Sequence, residues 1–298
     1  MKWSPRGSSP DVIDQRGGGG GGRSRGRGAA IGGGGLGLGG ILIVVLLQVL
    51  GGGGGGSGSG FDIGQVLQGA GGGPVAGEPI PAGEDPEKDL KDFSAYVFGD
   101  AQDRWTAIFS EQGRDYGRAK LVLYRSGVST GCGDASSAVG PFYCPADQRV
   151  YLDLSFYQDM IDQLKAPGDF AWAYVIAHEI GHHVQQELGT AAEVDAARRK
   201  DPSDANALSV RQELQADCYA GVWARGVYQA GQLEPGDVDE AFTAAESVGD
   251  DRLQRQAGGR VQPDSFTHGT SEQRRRWFTT GQTTGDPSRC DTFAADDI

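Results

Sequence analysis

The run His178-Glu179-Ile180-Gly181-His182 is the part of this 298-residue chain best equipped for chemistry. On a helix, residues four apart stand one above the other, so two imidazoles can reach one ion. Glu179 projects beside them, near enough to take a proton from a water on that ion without being a ligand itself. Neutral imidazole is a good zinc donor, and a water on zinc can ionise near pH ~7. Such a helix would supply a hydroxide-like nucleophile at ordinary pH. Five letters with three fixed positions also recur by chance, and the bland reading is two solvated histidines on the polar face of an ordinary helix. Two features oppose it. Trp172, Val175, Ile176, Ile180 and Val184 form an apolar stripe that puts this helix inside a fold. Three of the four histidines in the chain, His178, His182 and His183, fall within six residues.

A tetrahedral zinc site that keeps one position for water needs a third protein ligand. The candidate is a second helix over residues 207–229, with Leu208, Val210, Leu214, Tyr219, Val222 and Trp223 as apolar positions. Within it Glu213 and Asp217 are four apart and share a face. One carboxylate from this helix can complete the ligand set, and Asp217 can take the free ring N–H of a ligand histidine and fix its tautomer. The bland alternative is a pair of solvated acids. The fourth histidine, His268, lies in a loop running into a capped helix with Trp277 and Phe278. It has two readings: a donor to the oxyanion of a tetrahedral intermediate, or a residue of the capping loop.

The elements that must position these groups come from the rest of the chain. Residues 87–112 pattern as a helix, with Gly99 expected to break it in two, and residues 119–124 read as a strand. Residues 148–154 alternate polar and apolar, as an exposed or edge strand does; this is read either as a plain sheet edge or as a strand that a peptide could extend. A further helix is expected over residues 237–255. Cys132 and Cys144 are twelve apart, and a bond between them would close a short loop worth about 3 kcal/mol. Pairing Cys218 with Cys290 would pin the C-terminal tail to the second helix. A reduced set of four is equally even, so compartment decides.

The 51 glycines crowd the first quarter of the chain. Residues 1–28 hold six basic and two acidic residues, net +4, so the rest carries −17 of the total −13. This basic, Gly/Ser-rich stretch is expected to be a disordered cytoplasmic tail. Residues 29–50 carry no charge, and as a helix 22 residues span roughly 33 Å, enough for a bilayer. Arginines just before this run favour an uncleaved anchor with its N-terminus in the cytoplasm and the body outside; a signal peptide would want a shorter basic region and a cleavage site. Residues 51–85 read as a Gly/Pro-rich linker, and residues 86–298 as the globular domain, long enough to bury a core. An outside location suits disulfides. The acidic body argues against nucleic acid as a partner, while nothing in the sequence fixes the oligomeric state.

Taken together, Gly140-Pro141-Phe142-Tyr143-Cys144-Pro145, Val150-Tyr151-Leu152-Asp153, His178 through Gln185, Glu213-Leu214-Gln215-Ala216-Asp217-Cys218-Tyr219-Ala220-Gly221, Gly249-Asp250-Asp251 and His268-Gly269-Thr270-Ser271-Glu272-Gln273-Arg274 resemble the neutral zinc metallopeptidases of the YpfJ type. The likeness spans essentially the whole globular part. It implies a membrane-tethered zinc peptidase. The Glu213…Asp217 element further resembles the glutamate-type zincins, in which Glu213 would be the third ligand and Asp217 its outer neighbour. The expected fold is α+β and zincin-like: helix-rich, with a small mixed sheet, preceded by a disordered tail and one transmembrane helix. The expected function is hydrolysis of peptide bonds in a peptide or protein substrate. One Zn2+ would sit on His178, His182 and Glu213, with Glu179 as general base. The rival is a non-catalytic, zinc-stabilised binding module outside the cytoplasm.

Overall fold

The computed structural model describes residues 1–17 and 85–298. The first helix among the described residues, α1 (Lys88–Glu111), leads into a sheet built from β1 (Val12–Asp14), β2 (Lys120–Tyr124), β6 (Arg149–Asp153) and β5 (Phe142–Cys144), in that spatial order. β1 and β2 run parallel, β2 and β6 run parallel, and β5 runs antiparallel to β6. β3 (Gly127–Thr130) and β4 (Gly133–Ser136) form a separate antiparallel hairpin ahead of β5. Then come α2 (Phe156–Asp162), α3 (Asp169–Leu188), α4 (Thr190–Lys200), α5 (Ala205–Gln229), α6 (Asp237–Ser247), α7 (Asp250–Gln256) and α8 (Ser271–Thr284). This is the helix-rich α+β fold with a small mixed sheet expected from the sequence.

The sheet separates two apolar clusters because side chains alternate along a strand. Leu121, Leu123, Val150 and Leu152 face the large core under the helices. Val122, Tyr124, Tyr151 and Phe142 face a smaller cluster under the hairpin. There the Cys132–Cys144 disulfide ties the hairpin to β5. In the large core, Phe170 stacks on Trp223 with ring centroids 5.6 Å apart, and the Trp172 indole N–H donates to Ser94 Oγ at 2.9 Å. These contacts fix α3 against α5 and α1. The second disulfide joins Cys218 on α5 to Cys290, so the chain end is held against that helix as expected.

Four expectations are corrected. Residues 1–17 are not a disordered tail: β1 pairs in the sheet, and Arg16 is fully buried. Its charge is compensated by Asp14, Asp85 and Glu87, which explains how a basic, glycine-flanked stretch can fold. Gly99 does not break α1; it is buried, with the Arg6 side chain lying over it. β6 is not an edge strand but lies between β2 and β5, and its Tyr151, which reads as the exposed phase, packs on Phe142 in the smaller cluster. The helix expected over residues 237–255 is two, divided where Gly249 meets the start of α8: a Cβ there would fall 2.4 Å from the Ser271 backbone nitrogen. The expected membrane span, residues 29–50, and the linker that follows it lie outside the described residues. Among the described residues, no helix is long and apolar enough to cross a membrane.

Candidate metal centre

The centre forms where α3 and α5 cross with their backbones nearly touching. A Cβ at Gly181 would lie 2.8 Å from the Ala216 carbonyl oxygen, so glycine is what permits this approach. Closeness here carries Glu213 over the two histidines. His178 Nε2 lies 3.2 Å from Glu213 Oε2, and His182 Nε2 lies 3.5 Å from Glu213 Oε1. A ligand atom from each of the three lies within 4.8 Å of the other two. All three residues are buried.

Their donor atoms test whether a metal fits. His178 Nε2, His182 Nε2 and Glu213 Oε2 are buried without a hydrogen-bond partner. Leaving such groups unsatisfied costs about 1–3 kcal/mol each, so three of them converging on one point is an arrangement a divalent cation would resolve. Two imidazole nitrogens and a carboxylate oxygen are a donor set that zinc accepts. The residues therefore fit the metal.

The far side of each of the two histidine rings is held. His178 Nδ1 meets Asp217 Oδ1 at 2.9 Å. Asp217, fully buried, also accepts from the Tyr174 hydroxyl, from Arg274 Nε at 2.7 Å and from Arg274 Nη2 at 2.9 Å. His182 Nδ1 meets Gln185 Oε1 at 3.0 Å, and Gln185 Nε2 donates to Gln215 Oε1 and to the Gln212 carbonyl. Gln215 in turn donates to the Cys290 carbonyl at 3.0 Å, so the disulfide-bound chain end reaches the ligand network. With Nδ1 of each ring engaged in this way, the other nitrogen is turned toward the centre. The third histidine of the cluster, His183, faces elsewhere: Tyr143 and the Gly117 carbonyl hold its ring.

Electrostatics follow from burial and pairing. Burial pushes the Asp217 and Glu213 carboxyls up, but cations outweigh it. Arg274 and His178 hold Asp217 below the usual carboxylate range, and His182 and His178 hold Glu213 well below it. Glu179 behaves oppositely. It is buried, neither oxygen meets hydrogen-bond geometry, and burial raises its carboxyl above the ordinary value against the pull of His178 and His182. A carboxylate made more basic beside a ligand pair is suited to accept a proton.

His268 reaches the same region. Its neighbour Gly269 packs on α5 against Val210 and Leu214, and His268 is near enough to Glu213 to help hold its carboxyl low. Asp250 organises the loop: its Oδ2 accepts from the backbone N–H groups of Thr267, His268 and Gly269, while Oδ1 lies 3.2 Å from His268 Nδ1. Thr270 then caps α8 in a reciprocal pair with Gln273, the cap expected from the sequence.

Sequence reasoning gave no role to Tyr174, Gln185, Asp250 or Arg274, though the last three stand in the stretches that carry the family resemblance. The first two carried a signal, standing four before His178 and three after His182 on the same helix face. Arg274 carried one as well. The buried stripe of α8 includes Trp277, Phe278 and Gly281, and the same spacing reaches back to position 274. An arginine on an apolar stripe needs a buried partner, and Asp217 is that partner.

Comparison with known proteins assigns the chain to a family. The family model described as "Putative neutral zinc metallopeptidase" matches residues 1–293, β1 included. The chain is 53% identical over 208 residues to the uncharacterized protein YpfJ of Escherichia coli (strain K12), covering 70% of this chain and 72% of that one. It is 47% identical over 194 residues to the uncharacterized protein Rv2575 of Mycobacterium tuberculosis (strain H37Rv), covering 61% and 65%. No solved structure matches it. The chain belongs to the neutral zinc metallopeptidase family.

Proposed function

We propose that this protein hydrolyses peptide bonds as a zinc-dependent metallopeptidase of the zincin type, with His178, His182 and Glu213 as ligands. The observation that carries the proposal is the convergence of three unsatisfied, buried donor atoms beside a Glu179 carboxylate that is itself unbonded. Zinc held there would supply Lewis-acid activation of a water and of the scissile carbonyl. Glu179 takes the proton from the attacking water and delivers it to the leaving amine. His268, oriented by Asp250, donates to the oxyanion of the tetrahedral intermediate. Asp217 and Gln185 keep the ligand rings aimed, and Arg274 keeps Asp217 ionised.

Substrate binding has two supports. β5 is hydrogen-bonded to β6 alone among the described strands, and the Tyr143 backbone N–H on it lies near Glu179, so an extended peptide could add to that edge. Next to His178 and Glu179 opens an apolar pocket lined by Phe156, Met160, Leu164, Val175 and Val248. It has room for little more than a water molecule as it stands, so an apolar side chain flanking the scissile bond would have to widen it. Two disulfides suit an oxidising compartment, which supports a catalytic body outside the cytoplasm.

The test is Glu179→Gln in the purified full chain, with zinc content and cleavage of a peptide library read together. The variant is expected to keep one zinc per chain and to lose about 10^3-fold in turnover. Wild-type turnover in E179Q would remove Glu179 as the base. A wild-type protein that holds zinc yet cuts nothing in the library would favour the binding-module reading.

A further inference from the structure

We propose that residues 1–17 and residues 85–298 lie on the same side of any membrane the chain meets, because they form one folded body. This holds whether or not the protein is a peptidase. Several separate contacts join the two parts. β1 pairs with β2 in register, Val12 with Leu121, Ile13 with Val122 and Asp14 with Leu123, and the Gln15 N–H continues the ladder to the Leu123 carbonyl at 2.7 Å. Ahead of it, Asp11 sits between Arg118 and Lys120 at 2.8 and 2.7 Å. Trp3 packs on Phe93 with ring centroids 5.2 Å apart, and Arg6 reaches Asp100 and Asp103 on α1.

Arg16 decides the matter. Its guanidinium is fully buried and bonds to Asp14 at 2.8 Å, Asp85 at 2.7 Å and Glu87 at 2.9 Å. Residues 17 and 85 therefore both lie in this body, close to the same arginine. Strands of one sheet are about 4.8 Å apart, whereas the hydrocarbon core of a bilayer is about 30 Å thick. No membrane can stand between partners so close. A single crossing by residues 29–50 would put Arg16 on one face and Asp85 on the other. It would strip a buried cation of two of its three carboxylates, a change that proteins tolerate poorly. A single crossing between residues 17 and 85 is therefore incompatible with this docking, and so is the single-pass topology read from the sequence, with its cytoplasmic N-terminus and outside body.

The experiment places a cysteine at exposed Ser8 or at exposed Ser110 of the full chain in cells and treats them with a membrane-impermeant maleimide before and after the envelope is opened. S8C and S110C are expected to label to the same fraction before opening, whether both high or both low, and fully after it. One position labelled in intact cells with the other protected until opening would overturn the inference. Should S8C fail to label in opened cells, S4C replaces it, since Ser4 is also exposed. A second measurement guards against a fold in which the arm is not docked: R16Q in the purified full chain is expected to lower Tm by about 10 °C. An unchanged Tm would show that Arg16 is not the buried anchor and would sink the proposal.

Discussion

At the scale of single residues, the Asp217–Arg274 pair is the part of the site most open to a decisive substitution. Both side chains are fully buried, and Asp217 serves His178 as well as the arginine. Removing one member of a buried ion pair strands the other, which costs about 3–5 kcal/mol, while removing both is often near neutral. Arg274→Met is therefore expected to destabilise the zinc-loaded protein by about 3–5 kcal/mol in urea unfolding. Adding Asp217→Asn to it should restore most of that loss without restoring function. Asp217→Asn alone should lower zinc affinity by about 10–100-fold, because the charged acceptor that aims the His178 ring becomes a weaker neutral amide; competition with a coloured chelator reads this out. If D217N binds zinc as tightly as the wild type, Asp217 does not orient the ligand. His268→Ala supplies an independent check on the oxyanion assignment. A loss of about 10^2–10^3 in kcat with zinc content and KM unchanged is expected, and a fall in thermal stability with kcat unchanged would leave His268 a loop residue.

At the scale of elements, the site depends on helices whose backbones touch. α5 and α8 meet through two glycines: a Cβ at Gly281 would lie 1.9 Å from the Cys218 carbonyl oxygen, and one at Gly221 would lie 2.1 Å from the Phe278 carbonyl oxygen. Backbone cannot yield as a flexible side chain can, so Gly281→Ala must push the helices apart. That displaces Arg274 at one end of α8 from Asp217 on α5. The expected cost is about 3 kcal/mol or more, with zinc affinity falling alongside stability; G281A with wild-type unfolding would mean that the helices do not meet as described. The same scale explains what could be read in advance. The shared face of His178 and His182, and that of Glu213 and Asp217, were legible because helix geometry turns a spacing of four into one face; that Glu213 meets the histidines was legible only through the resemblance to the glutamate-type zincins. The Thr270–Gln273 cap was legible because capping is a local pattern. The position of β6 was not, since alternation of polar and apolar residues looks the same in an edge strand and in an inner strand whose second face is covered by a hairpin. The unbroken run of α1 through Gly99 was not legible either, because a single interior glycine costs a helix only about 1 kcal/mol and packing on both sides overrides it.

At the scale of the whole molecule, the least legible feature is the N-terminal arm, and its chemistry predicts how it should respond to acid. β1 is three residues long, too short for any periodicity to announce it, and its anchors are ion pairs to partners more than a hundred residues away or across the glycine-rich stretch. Its docking therefore rests on charge as much as on apolar contact. Burial pushes the Asp11 and Asp14 carboxyls up, but Lys120 and Arg118 outweigh it for Asp11, and Arg16 and Lys91 outweigh it for Asp14, so both lie below the ordinary value. Hydrogen bonding to Arg16 and Lys91 lowers Asp85 further still. A carboxyl whose folded pKa is depressed contributes stability that is full above its unfolded pKa, near ~3.9, and is lost as pH falls through the folded value. The arm should accordingly be held firmly at neutral pH and loosen below about pH 4, ahead of the inner strands, whose pairing does not depend on these carboxylates. Hydrogen exchange corrected for intrinsic rates is expected to show amide protection in β1 falling between about pH 4 and pH 2. Protection in β6 should persist through that range. Equal protection of β1 and β6 down to the lowest of these values would mean that apolar contacts at Trp3 and Val12, rather than the ion pairs, keep the arm in place.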